Sequence, residues 1–145
     1  MHQSERTQIE RACERIVALY CHYVDHGEAE RIADLFTKDG VWRSPQITMQ
    51  GIEEVRRGFA QRQANRARTS RHVCNNCVVE VIDEDHAEGC VYLTLYRHDG
   101  EADRPVAPLE GPALVGEYRD KFERTPDGWR FAEREIAVSF LRRGE

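Results

Sequence analysis

No stretch of this chain approaches the roughly 18 consecutive apolar residues that a membrane span requires, so no membrane partner is expected. Blocks of one charge sign are also missing. The 21 Lys and Arg are interspersed with 26 Asp and Glu, for a net charge of -5, and this balance argues against nucleic acid as a partner. Arg62, Arg66, Arg68 and Arg71 are the nearest approach to an anion-binding patch. With acidic residues nearby, they read as a solvated helix end. Neither a Gly-rich phosphate loop, an internal repeat, a linker nor a low-complexity segment is found. The opening residues Met1-His2-Gln3-Ser4-Glu5-Arg6 contain no apolar core of a secretory signal. Together with an odd count of five cysteines, this leads to the expectation of a reduced, cytoplasmic setting. Cys74 and Cys77 have CxxC spacing, but they lie in a β-patterned run where an odd offset sends two side chains to opposite faces. Without a second Cys/His pair they read, like the other cysteines, as small buried hydrophobes. His22, His26, His86 and His98 complete no metal-ligand set, so neither metal nor cofactor is expected.

What is present fits one domain over residues 1–145. A chain of 145 residues that is 40% hydrophobic and 32% charged can bury one sizeable core. Ile9, Cys13, Ile16, Val17, Tyr20 and Val24 form one face of a 3.6-residue period, with Glu10, Arg11, Glu14 and Arg15 opposite. This predicts a helix capped by Ser4 or Thr7, running to about Val24 and stopped at Gly27. A short second helix is expected over about Glu28 to Phe36, followed by a turn at Asp39-Gly40 into a strand at Val41-Trp42. Gly51 precedes a third helix, about Ile52 to Asn65, with Ile52, Val55, Phe59 and Arg62 near one face. The period then changes to 2. Strands are expected at 71–82, 87–98, 112–124 and 129–141, the last two joined by the Thr125-Pro126-Asp127-Gly128 turn. Three helices followed by a four-stranded antiparallel meander make an α+β fold, with the helices on one face of a curved sheet. A strongly bent sheet around a helix forms a cone, and the open end of a cone is a pocket.

Two polar, titratable residues stand where apolar ones would ordinarily serve a fold: Asp25 at the end of the first helix and His72 in the first long strand. If they meet in a cavity, the carboxylate orients the imidazole and a general acid/base unit results. A purely structural tie between helix end and strand would use the same two residues. The helix dipole disfavours a carboxylate at Asp25, and a nearby imidazolium would offset that cost. Strand alternation places His72, Cys74 and Asn76 on one face. Arg97 and Arg134 could reach a carboxylate-bearing ligand, but they read first as solvated or ion-paired strand ends.

In order along the chain, Tyr20, Asp25, Leu35-Phe36, Asp39-Gly40-Val41-Trp42, Gly51-Ile52, Arg71-His72, Asn76, Gly116-x-Tyr118-x-Asp120 and Asp127-Gly128-Trp129-Arg130 resemble the SnoaL-like, scytalone dehydratase-like branch of the nuclear transport factor 2-like superfamily. The resemblance spans nearly the whole chain. It implies a cone-shaped α+β barrel with an apolar pocket, usually assembled as a homodimer or homotrimer. It also implies His72 as catalytic acid/base, Asp25 as its orienter, and Tyr20 and Asn76 as neighbours. Trp42, Phe59, Tyr96, Tyr118 and Phe140 are expected in the core and pocket wall. Departures limit the transfer: Glu28 stands at the second acidic position, and Val24 stands where scytalone dehydratase has a tyrosine that polarises a carbonyl.

The expected activity is therefore cofactor-independent dehydration, isomerisation or polyketide cyclase-like chemistry on a small, mostly apolar or aromatic cyclic substrate. The alternative is a non-catalytic module that uses the same cone to bind a small ligand or to assemble.

Overall fold

In the computed structural model, which describes residues 1–145, the first helix, α1, runs Gln3–Asp25 and buries Ile9, Cys13, Ile16, Val17, Tyr20, Cys21 and Val24. The apolar stripe read from the sequence is thus the face on which the core is built. The helix begins earlier than its Ser4 or Thr7 would require: His2 stands at the N-cap and no side chain caps it. Gly27, with φ of 78°, supplies the left-handed residue that ends this segment. A 3-10 helix, Ala29–Leu35, follows and buries Ala29, Ile32, Ala33 and Leu35. The second α-helix, α2, spans Ile52–Ala64 and buries only Val55 and Phe59.

Six strands form one sheet: β1 Phe36–Arg43, β2 Thr48–Gln50, β3 Arg68–Val81, β4 His86–Asp99, β5 Leu114–Thr125 and β6 Gly128–Leu141. Their order is β2-β1-β6-β5-β4-β3. The meander β3 to β6 is antiparallel throughout, as the alternating pattern predicts. Two features lie outside that pattern. The three-residue β2 pairs with β1, and β1 joins β6 in parallel. A parallel neighbour on one side and two short strands at the edge leave little period-2 signal in the sequence.

Bulges bend the sheet where the strands are longest. One residue is inserted in β3 between Asn75 and Val78, and the β5–β6 register slips between Val115 and Gly116. At the second point the backbones come so close that a Cβ on Gly116 would lie 2.2 Å from the Ala137 carbonyl oxygen, so only glycine fits. The resulting curved sheet wraps the apolar face of α1, with Leu93, Tyr118, Phe122 and Phe131 packed in one core with the helix residues. No helix is long and apolar enough to cross a membrane.

Candidate functional site

The open end of the curved sheet is a cavity of about 560 Å³. Its floor is apolar, with Val24, Leu93, Leu95, Leu114 and Ile136, and Tyr20, Trp42, Phe59 and Tyr118 supply the aromatic wall. His72 and Ser70 reach it from β3.

Asp25 is the last residue of α1, and its carboxylate is turned into β3 and almost closed to solvent, at 4% side-chain exposure. Three groups of that strand converge on it. His72 Nδ1 lies 2.7 Å from Oδ1, the His72 backbone N–H donates to Oδ2 at 2.7 Å, and the Ser70 hydroxyl donates to Oδ1 at 2.8 Å. Burial raises the Asp25 carboxyl, but the hydrogen bonds and charge of His72, with the bond from Ser70, outweigh it and hold the group below its ordinary range. An ionised carboxylate only accepts, so His72 Nδ1 carries the proton in this bond. In the neutral ring, Nε2 then carries the free lone pair. No protein group bonds Nε2, and the side chain lines the cavity.

Tyr20 packs edge-on against His72, Tyr118 and Phe59, with ring centroids 6.4, 5.5 and 5.8 Å away. The Trp42 indole donates to its hydroxyl oxygen at 3.0 Å, which leaves the Tyr20 proton free for another acceptor. Burial pushes the Tyr20 phenol up to about 12, against opposing pulls from Arg134, Tyr118 and Trp42. Burial likewise holds Tyr118 well above the ordinary phenol range. Both phenols therefore remain neutral donors at physiological pH.

Of the residues expected at the site, Asp25, His72 and Tyr20 come together, and Trp42, Phe59 and Tyr118 line the cavity. Three are placed elsewhere. Asn76 is exposed at φ of 56° within the β3 bulge, because the inserted residue breaks the alternation that would have set it beside His72. Tyr96 faces outward between Leu95 and Arg97, which face the cavity. Phe140 is 71% exposed because the β5–β6 register slips by one residue between Val138 and Phe140. The same β3 insertion changes the cysteine reading. It cancels the odd offset, so Cys77 lies on the side of Cys74, Val79 and Val81, and it is exposed rather than buried.

Arg134 is another departure. It lies in the interior of β6 with no exposed surface, and it pairs with buried Asp120 through Nε to Oδ1 at 2.8 Å and Nη2 to Oδ2 at 3.3 Å. Its guanidinium stacks 3.6 Å from the Tyr118 ring centroid and 4.3 Å from that of Tyr20. Burial disfavours its charge, but Asp120, Tyr118 and Tyr20 outweigh burial and keep it protonated. Arg97 does form an ion pair, with Glu145, while lining the cavity. Sequence reasoning did not find Ser70, and it read Arg62 as part of a solvated helix end, whereas Arg62 is half-buried and bonds Ser70; the signal was Arg62 on the inward face of α2 and Ser70 two positions before His72 on the strand. No group of three or more His, Cys, Asp or Glu side chains is placed to hold a metal ion.

Comparison with known proteins places this geometry in a family. No curated protein sequence matches the chain. Among solved structures, a protein from Novosphingobium aromaticivorans proposed to be a scytalone dehydratase superposes with a TM-score of 0.84 at 19% identity, covering 99% of this chain and 93% of that one. LinA superposes with a TM-score of 0.78 at 18% identity, over 100% of this chain and 97% of its own. A nuclear transport factor 2-like protein with a cystatin-like fold, also from Novosphingobium aromaticivorans, gives 0.75 at 24% identity, with 96% and 85% covered. These likenesses establish the fold. A family model described as the SnoaL-like domain matches residues 5–135, and the chain belongs to that family.

Proposed function

We propose that this protein is a cofactor-independent enzyme of the lyase or isomerase type, with His72 as acid/base and Asp25 as the residue that positions it. The observation that carries this reading is the division of labour on the imidazole. Nδ1 is held by a buried carboxylate at 2.7 Å, while Nε2 sits on the cavity wall without a protein partner. A base fixed in one tautomer and aimed into an apolar cavity suits removal of a proton next to a carbonyl.

The step balances with the groups present. His72 Nε2 takes a proton from the carbon beside a substrate carbonyl, and the electron pair moves toward the carbonyl oxygen. The neutral Tyr20 or Tyr118 hydroxyl donates to that developing oxyanion. Return of the proton to another carbon is isomerisation. Delivery of it to a hydroxyl leaving from the β-carbon breaks the C–O bond and releases water, which is dehydration. The size and apolar floor of the cavity favour a small cyclic or aromatic substrate. Homodimer or homotrimer assembly is proposed alongside, and sedimentation decides it. A non-catalytic binding module does not require the short Asp25–His72 contact.

Exchange of α-protons from a small cyclic ketone, 2-tetralone, into deuterated buffer can be followed by NMR. The native protein should accelerate exchange. His72→Ala and Asp25→Asn should each reduce it, His72→Ala by about 10²–10⁴-fold. Unchanged exchange in both variants defeats the assignment.

A further inference from the structure

The cavity is apolar at its floor but not at its mouth. Arg57 and Arg62 from α2, Arg68 from β3 and Arg97 from β4 line it there, and Glu54 is the one acidic residue among the lining side chains. Two of the four arginines are neutralised within the protein. Arg68 makes a two-pronged contact with Asp99, at 2.8 and 3.0 Å, and Arg97 pairs with Glu145. Neither Arg57 nor Arg62 pairs with a carboxylate, but Arg57 is exposed to solvent, so of the two only Arg62 is withdrawn into the cavity. Its guanidinium donates only to neutral acceptors, the Ser70 hydroxyl at 3.0 Å and the Asn65 carbonyl at 3.3 Å. Half-buried, it stands in a field that disfavours its charge: burial comes first, then repulsion from Arg68 and Arg97, with Asp25 and Asp99 only partly opposing. A guanidinium does not give up its proton in the physiological range. The cavity mouth therefore holds a fixed positive charge with unused N–H donors and no protein anion to meet it.

We infer that Arg62 binds a carboxylate on the substrate, so that the molecule processed here is a small cyclic carboxylic acid with its ring on the apolar floor. A planar carboxylate matches the donor fork of a guanidinium. A phosphate is the poorer fit, since no Gly-rich loop meets the cavity and Arg68 and Arg97 are already engaged. Arg62 is also joined to the proposed base. Ser70 accepts from Arg62 and donates to the Asp25 oxygen that holds His72 Nδ1, so an anion seated on Arg62 is registered against the imidazole through three hydrogen bonds. The identification of the substrate as an acid rests on the proton-transfer reading of this cavity, whereas carboxylate binding at Arg62 does not.

The test is therefore a binding measurement that needs no turnover. Benzoate, its neutral analogue benzamide, and phenyl phosphate are titrated into the full chain, and dissociation constants are read from amide chemical shifts. The native protein should bind benzoate about tenfold to a hundredfold more tightly than benzamide, the preference expected of one charge-assisted contact. Arg62→Met should abolish the preference while leaving benzamide affinity unchanged, which also shows that the cavity is intact. Arg62→Lys, which retains the charge, should keep part of it. His72→Asn should leave the preference in place, so failure of the proton-transfer reading and failure of this one are seen separately. Equal binding of benzoate and benzamide overturns the inference. So does a preference that survives Arg62→Met but is lost in His72→Asn, and so does tighter binding of phenyl phosphate than of benzoate through Arg62.

Discussion

The molecule holds two buried carboxylates paired with basic side chains, both packed against the Tyr20 ring, and they are built to opposite specifications. Asp120 and Arg134 bridge β5 and β6, with 1% and 0% of their side chains exposed, and both guanidinium contacts point inward. Asp25 and His72 join α1 to β3, with the carboxylate closed off but the imidazole still 12% exposed and lining the cavity. The sealed pair exposes no atom to a ligand and meets its charges within the fold, although Arg134 Nη1 keeps no hydrogen-bond partner. A pair with one uncommitted nitrogen on a cavity wall can exchange a proton with whatever enters. The charge of Arg134 is permanent, so in the proposed reaction the sealed pair is a support and only the open pair can be a reagent. The support is not idle. By lying against both phenols, Arg134 fixes the rings that form the cavity wall beside His72.

The comparison can be broken most forcefully at Asp120. Asp120→Ala leaves the Arg134 charge buried without a partner and should cost about 3–5 kcal/mol of stability, read as a fall in the urea unfolding midpoint. Replacing both residues together, Asp120→Leu with Arg134→Met, should recover much of that loss. A single variant as stable as the native protein would show that the pair is not sealed. At the open pair the cost should move from stability to chemistry. His72→Gln keeps an N–H able to bond Asp25 but cannot act as a base. Proton exchange should fall by about 10²–10⁴-fold while unfolding shifts by less than about 1 kcal/mol. Equal damage to both readouts would erase the distinction.

The sequence makes the open pair legible and hides the sealed one, and the reason is physical. Asp25 and His72 interrupt an apolar period at element ends, where a polar residue is conspicuous. Arg134 lies in a strand of mixed charge, Glu133-Arg134-Glu135, and nothing local distinguishes its buried guanidinium from the exposed side chains beside it. The helices and the antiparallel meander follow from periods of 3.6 and 2. β2 and the parallel pairing of β1 do not, because register between distant strands is set by tertiary packing. Tyr96 faces outward by plain alternation with Leu95 and Arg97, whereas the other two misplaced residues share one cause. Strict alternation carries Asn76 inward, and a one-residue bulge, which leaves no mark in an alternating pattern, carries it out; the slip before Phe140 does the same on β6.

A smaller effect is expected at Asp25 in acid. Its native pKa lies below the usual 3.8, so in acid the unfolded chain binds the proton more readily than the native one. The stabilisation is fully present above that unfolded value and is lost as pH falls below 3.8 through the lowered native value. Urea unfolding measured across this acid range should show stability falling with decreasing pH. Asp25→Asn should flatten that limb, with the largest difference from the native protein at neutral pH. A parallel pair of curves would mean that Asp25 is not preferentially ionised in the native state.

The mildest test falls on Asn76, which strand alternation would make a partner of His72 and the bulge makes a backbone device. At φ of 56° its backbone is in the left-handed region, where asparagine is tolerated, glycine is at ease and other residues are strained. Asn76→Gly should leave both stability and proton exchange near native. Asn76→Ala should cost about 1 kcal/mol in unfolding with exchange unaltered. A catalytic amide would give the opposite ranking, with both variants equally slow and little change in stability, because removal of the side chain rather than backbone strain would then be the damage. Comparing glycine with alanine at this position therefore asks whether Asn76 acts through its backbone, as its place in the β3 bulge implies.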